Sequence, residues 1–311
     1  MRRFLLFCLI AVLFPYIATL AFAGTITGQG GTWGRQEDLA GEKRIFLDRQ
    51  RRGYVDVEEY LVGVVAKQMP ADYEKEALKA QAVIARTYVY RQMEGQDEIR
   101  ESELNLEYLE EEQMEKLWGK PKFLEYYQKI RQAVEETEGK TITCSGEYVE
   151  PLFHRASAGQ TRDGDQAHPY LVSVDSREDM EAEGYLTMNV WTPQEFADLI
   201  RQLPEGERVT ADQIPETIQL IARDKAGYVT EIQIGTHIFD GESIGKVLGL
   251  PSAAYSLESY GTGVRAVCRG HGHGYGMSQY GAHIKAREGM KAEDILGYYY
   301  HDSVIQSGES S

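Results

Sequence analysis

Between Gly270 and Ala282 the chain reads Gly-His-Gly-His-Gly-Tyr-Gly-Met-Ser-Gln-Tyr-Gly-Ala, which is too rich in glycine for ordinary core and too polar for a spacer. Glycine at 270, 272, 274 and 276 lets the backbone take positive φ or approach another group closely. In an extended conformation His271 and His273 project to the same side. A solvated hairpin is the competing reading, but a flexible Gly/Ser linker would not gather two His, a Met, a Gln and two Tyr in so few positions. The pattern predicts a binding loop held by its own backbone.

A second informative stretch lies upstream. Val57, Leu61, Val64 and Val65 fall on one helical face, and Pro70 ends that helix by removing a backbone donor. Gln68 continues the apolar stripe, so its amide is expected either to be hydrogen-bonded inside or to sit in a cleft at the helix end. Asp72 is expected to cap the next helix, with Glu74 and Glu76 in its first turn. That helix is expected to reach about Met93 and to bury Tyr73, Ala77, Ile84, Ala85 and Tyr88, with Gln81 interrupting the buried face. Two helices joined at Met69-Pro70 bring Gln68 to a corner, a natural wall for a groove.

Residues 94–118 are dominated by acids and read as a solvated helical insertion. A helix near Phe123 to Glu138 follows, then Gly139 as a stop and short strands around Thr141–Cys144 and Tyr148–Phe153. Thr192-Pro-Gln-Glu195 is a capping box with proline in the first turn. Ile218–Ala222 and Tyr228–Ile234 read as a hairpin around Asp224–Gly227. Strands and helices mix without a βαβ order, which predicts an α+β fold, with a semi-independent portion from about 180 to 250.

The formal charge of −16 argues against nucleic acid as a partner, because phosphate binding relies on Lys and Arg. Neutral sugars remain compatible, since twenty tyrosines offer apolar faces and hydroxyls. Arg2 and Arg3 precede an apolar run from Phe4 to Ala23, long enough to span a bilayer. An uncleaved membrane anchor is the preferred expectation, and a cleaved signal peptide ending near Ala21-Phe-Ala is the alternative. Either places the body of the protein outside the cytoplasmic membrane. Cys8 lies in that run, and Cys144 and Cys268 do not by themselves establish a disulfide.

The closing stretch, with His283-Ile-Lys-Ala-Arg-Glu-Gly-Met and Ile295-Leu-Gly-Tyr-Tyr-Tyr after it, resembles the last motif of the stage II sporulation protein D family, which includes the amidase-enhancer proteins. Glu59-Tyr-Leu-Val-Gly-Val-Val-Ala-Lys-Gln-Met-Pro-Ala and Glu76-Ala-Leu-Lys-Ala-Gln-Ala-Val-Ile-Ala-Arg-Thr-Tyr resemble its first motif. Phe153-His-Arg-Ala-Ser-Ala-Gly-Gln-Thr resembles its central one. The resemblance implies a family domain over residues 50–305 with the acidic insertion at about 94–118, preceded by a membrane anchor or signal peptide (1–23) and a linker (24–49) and followed by a tail (306–311). It implies mixed helices and short antiparallel strands around a glycan-binding groove.

By the same resemblance the activity is that of a peptidoglycan lytic transglycosylase acting on peptide-free glycan strands during spore engulfment. Gln68 stands where the family's catalytic glutamate precedes Met-Pro. An amide has no acidic proton to donate, so the alternative is a catalytically silent glycan-binding scaffold or amidase enhancer. Gln81, Arg86, His154, His271, His273, Ser278, Gln279 and Tyr280 are the implied substrate-binding residues. No cofactor is expected; a zinc site built from Cys268, His271 and His273 with His154 or His168 is a weaker rival. Implied partners are peptidoglycan glycan strands, a peptidoglycan amidase, other engulfment proteins, and the membrane through residues 4–23.

Overall fold

The computed structural model describes residues 43–48 and 53–307. The apolar run Phe4–Ala23, Cys8 and most of the expected linker and tail lie outside the described residues. No helix among the described residues is long and apolar enough to cross a membrane.

Strands β1 (Arg44–Leu47) and β2 (Gly53–Asp56) pair antiparallel and lead into helix α1 (Val57–Gln68). The Asp56 carboxylate caps α1 by accepting the Glu58 amide at 2.7 Å. After Pro70 the chain turns into α2 (Lys75–Met93). Asp72 does not cap that helix: the preceding residue is Glu74, it makes no side-chain cap, and its amide donates instead to His283 Nδ1 at 3.0 Å. The cap comes from a residue 209 positions away, which no local pattern can foresee.

Helix α2 is buried on nearly all sides, with Leu78, Ala80, Ala82, Val83, Ile84, Ala85 and Val89 at or below 2% exposure. Its small side chains admit neighbours from every direction: α1, α5 (Lys120–Glu135), β4 (Lys140–Cys144), α8 (Gln279–Arg287) and α9 (Ala292–Tyr299). β4 lies between β14 (Val304–Ser307) and β5 (Glu147–Tyr148).

The acidic segment is largely exposed and partly helical, as expected, but it is also docked. It contributes β3 (Glu98–Arg100), parallel to β1, then α3 (Glu101–Leu104) and α4 (Glu111–Trp118). Leu104 and Met114 are buried, the Tyr108 ring stacks on Tyr60 at 5.0 Å, and the Leu109 amide donates to the Gly63 carbonyl at 3.1 Å. The docking depends on Gly63, where an added Cβ would lie 2.2 Å from the Tyr108 ring.

A second hydrophobic cluster extends from Phe196 to Cys268, past the boundary expected near 250. It is built from β7 (Leu186–Trp191), α6 (Pro193–Ile200), β8 (Ile218–Arg223), β9 (Val229–Ile234), β10 (His237–Asp240), α7 (Gly241–Val247), β11 (Tyr255–Tyr260) and β12 (Gly263–Arg269). The strands form two three-stranded sheets, in the orders β10-β9-β8 and β11-β12-β7. The capping box at Thr192 and Glu195 forms, and the β8–β9 hairpin turns at Asp224–Gly227 as expected.

The architecture is α+β, but its short strands are not all antiparallel. Besides β1 and β3, the two-residue strands β6 (Phe153–His154) and β13 (Met277–Ser278) pair in parallel, joining the central and closing motifs. Cys144 and Cys268 are free thiols.

Candidate functional site

The glycine-rich loop takes the conformation its composition predicts, with φ of +72°, +107°, +83° and +68° at Gly270, Gly272, Gly274 and Gly276. Close approach matters as much as φ. A Cβ at Gly276 would fall 1.8 Å from the Leu152 carbonyl oxygen, and one at Gly274 would fall 2.4 Å from the Tyr228 hydroxyl. The loop is therefore pressed against the central motif. His271 and Ala156 exchange backbone hydrogen bonds at 2.7 and 3.2 Å, which fixes the register of the two segments.

This packing leaves an open cleft of about 360 Å³ between the end of α1 and the loop. Gln68, Tyr88, Asn105, Glu150, Phe153 and His273 are among the residues that line it. Asn105 comes from the acidic segment, which holds none of the expected site residues.

Three amides form one wall, and a backbone carbonyl orients all of them. A carbonyl can only accept, so Gln279 Nε2 must be the group 2.8 Å from the Gln68 backbone oxygen. The same Nε2 donates to Gln81 Oε1 at 3.2 Å, which turns Gln81 Nε2 toward Gln68 Oε1 at 2.8 Å. Gln68 Oε1 is thereby used as an acceptor, and the residue lines the cleft. Gln81 and Gln279 are buried at 0% and 4% exposure, so they stand behind Gln68 and orient it.

Arg86 lies away from the cleft, fully buried among helices. Its guanidinium makes a two-point ion pair with Glu58 and donates to the carbonyls of Lys140 and Val134 at 3.2 Å each. Those partners occupy it in holding α1 to α2.

Across the cleft, His273 lines the wall and His154 lies beside it, with the ring centroids 5.8 Å apart. His154 is buried, and its Nδ1 donates to the Tyr275 carbonyl at 3.0 Å, leaving Nε2 as an acceptor with no partner among the described residues. Burial, reinforced by His273, pushes its pKa down to about 3. His273 keeps a solvent-exposed edge and accepts the Tyr275 amide on Nδ1 at 3.1 Å. Surrounding protein and the nearby Arg162 guanidinium lower its pKa as well. His271 is exposed and outside the cleft lining, with its pKa lowered by partial burial and Arg155.

Ser278 is fully buried; its hydroxyl donates to Asp179 Oδ1 at 2.7 Å and accepts the Gly281 amide at 3.1 Å, capping α8. Tyr280 is half-buried and edge-on to Tyr73 at 6.3 Å, while Tyr73 stacks on His283 at 4.4 Å. Of the nine residues expected at the site, Gln68 and His273 line the cleft, Gln81 and Gln279 orient Gln68, and the other five lie outside the lining.

Sequence reasoning missed two acids here. Asp179 is buried with its pKa raised by desolvation, and it accepts the Ser157 amide at 2.7 Å as well as the Ser278 hydroxyl. It ties the central motif to the closing one from outside both. Glu150 lines the cleft, but its Oε2 is taken up by His168 Nε2 at 3.0 Å and Arg91 at 3.7 Å. Neither acid has a signal in local sequence, since their partners are 18 to 99 residues distant.

The donor set does not gather around a metal. Cys268 is buried and hydrogen-bonds with Ser252 rather than facing the histidines. Among the described residues no group of three or more His, Cys, Asp or Glu is arranged to hold an ion.

Comparison with known proteins agrees with the motifs. The profile of the stage II sporulation protein (SpoIID) family matches residues 49–144, running through the acidic segment. Stage II sporulation protein D of Bacillus subtilis (strain 168) is 32% identical over 268 residues, covering 82% of this chain and 76% of that protein. Its counterpart in Bacillus amyloliquefaciens shows the same identity and coverage. The amidase enhancer of Bacillus subtilis is 21% identical over 79% of this chain and 40% of its own length. With identity above 30% across four-fifths of its length, the chain belongs to the stage II sporulation protein D family.

Proposed function

We propose that this chain binds peptide-free peptidoglycan glycan strands in the cleft between Gln68 and His273, outside the cytoplasmic membrane, and that its own cleavage of them is very weak. The carrying observation is the setting of Gln68, which lines the cleft with its side-chain oxygen already committed to Gln81. Cleavage of a glycosidic bond without water needs one group that protonates the leaving oxygen and then takes a proton from the sugar's own 6-hydroxyl as that oxygen closes on C1. The amide of Gln68 can hydrogen-bond the glycosidic oxygen but transfers no proton. Glu150 is the one acid among the lining residues, and its engagement by His168 and Arg91 makes it a poor substitute. Residues 4–23 anchor the chain in the membrane under this reading, and its setting is spore formation.

The test compares the parent chain with Gln68→Glu on denuded glycan strands, with mass spectrometry reading 1,6-anhydro ends. A carboxyl restores general acid catalysis worth roughly 10²–10⁴-fold, so the variant is expected to exceed the parent by that margin. Robust cleavage by the parent overturns the assignment. No cleavage by either form favours a second reading, in which the chain presents glycan to a peptidoglycan amidase; its similarity to an amidase enhancer supports this. The rate of a purified amidase on denuded and intact sacculi, with and without the chain, measures that role.

A further inference from the structure

Strand β7 is patterned inside out. Leu186, Met188 and Val190 point to solvent at 55%, 62% and 54% exposure, while Thr187 and Asn189 face inward opposite buried Cys268 and Ala266. The strand lies at the edge of its sheet, and among the described residues nothing pairs with its outer side. Soluble proteins defend such edges with charge, proline or bulges. The other edges of the two sheets in the second cluster follow that rule: β8 carries register shifts and Arg223, β11 carries Glu258, and β10 ends in Asp240. In β7 the sequence Leu-Thr-Met-Asn-Val-Trp has no charge, no proline and no irregular pairing with β12.

We propose that this edge joins two copies of the chain, β7 pairing antiparallel with β7 of the second copy about a twofold axis at Met188. The strand is complementary to itself in that register. Met188 falls opposite Met188 of the partner subunit, and Leu186 falls opposite the partner's Val190, so the three exposed apolar side chains of each copy share one face. Cross-strand neighbours extend the match, because Val267 lies beside Met188 and continues the apolar row across the joint. Charge is compatible as well. Arg265 and Arg269 flank Val190 and Leu186 one strand back, so Arg265 lies three strand spacings, about 14 Å, from the partner's Arg269. That exceeds the Debye length of about 8 Å at physiological salt. No like charges meet along the seam.

The register gives a sharp test in the full-length chain. Directly opposed antiparallel residues have Cα atoms about 4.5–5.5 Å apart, inside the range a disulfide spans. In a Cys8→Ser, Cys144→Ser background, Met188→Cys treated with diamide is expected to run as a covalent dimer on a non-reducing gel, with Ile238→Cys, equally exposed on another sheet, as the negative control. Sedimentation of the parent in mild detergent is expected to give twice the chain mass. Met188→Lys is expected to halve that mass with unchanged circular dichroism. A monomeric parent at every concentration overturns the proposal. So does equal crosslinking at 188 and 238, or crosslinking of 188 to a different polypeptide.

Discussion

The two walls of the cleft are built by different routes. On one side Gln68, Gln81 and Gln279 contain no titratable group, and each orients the next from one backbone carbonyl. On the other, burial keeps His154 neutral, while surrounding protein and Arg162 lower the pKa of the exposed His273. The first wall is insensitive to pH and depends on helix packing. The second depends on pH and on glycine.

The largest expected effect lies beneath the amide wall. Glu58→Ala leaves the fully buried Arg86 without its counter-ion, and removing one partner of such a pair costs about 3–5 kcal/mol. Urea unfolding is expected to show that loss; a change below about 1 kcal/mol would mean that water reaches Arg86. On the loop side, Gly276→Ala sets a Cβ against the Leu152 carbonyl at a positive φ, a clash and backbone penalty that together cost about 3 kcal/mol. A lowered melting temperature with loss of glycan binding is the expected outcome, and a stable variant with intact binding would show that the loop does not build its wall.

Acid should separate the walls. The folded pKa of His154 is depressed to about 3 from 6.5, so between those values the unfolded chain binds the proton and the folded chain does not. Its contribution is complete above pH 6.5 and is lost as pH falls toward about 3. At about 1.4 kcal/mol per unit, two units below 6.5 remove up to about 2.7 kcal/mol. His154→Phe should flatten that part of the stability profile; an unchanged slope assigns it to other groups. The smallest effect is expected for Gln279→Leu, which leaves Gln81 Oε1 and the Gln68 carbonyl without their shared donor, at about 2 kcal/mol. Because it also frees Gln68 to rotate, a Gln68→Glu, Gln279→Leu double variant should lose most of the cleavage gained by Gln68→Glu alone.

Much of this was legible before any coordinates. The α1–Pro70–α2 corner, the capping box at Thr192, the β8–β9 hairpin and the positive φ of the glycine loop all follow from short-range rules, each set by groups within a few residues. Family membership was legible in the same way, from ordered motifs. The acidic segment is helical in part and largely exposed, as its charge suggests, but its docking through Leu104, Met114 and a gap over Gly63 that receives Tyr108 has no local signal. Asp72 was misread as a cap because a better partner, His283, arrives from the far end of the chain.

Sequence alone therefore determined which stretches could build a site, because helix ends, turns and glycine conformations are properties of neighbouring residues. It also determined that no carboxyl stands at position 68. Only the tertiary structure decided that Arg86 serves the core, that Gln81 and Gln279 orient Gln68 from behind, and that Asp179 joins two motifs from outside both. These are contacts between groups tens to hundreds of residues apart. A distant backbone carbonyl then sets the hydrogen-bond direction of each amide and burial lowers the pKa of His154, and both exist only once the chain has folded.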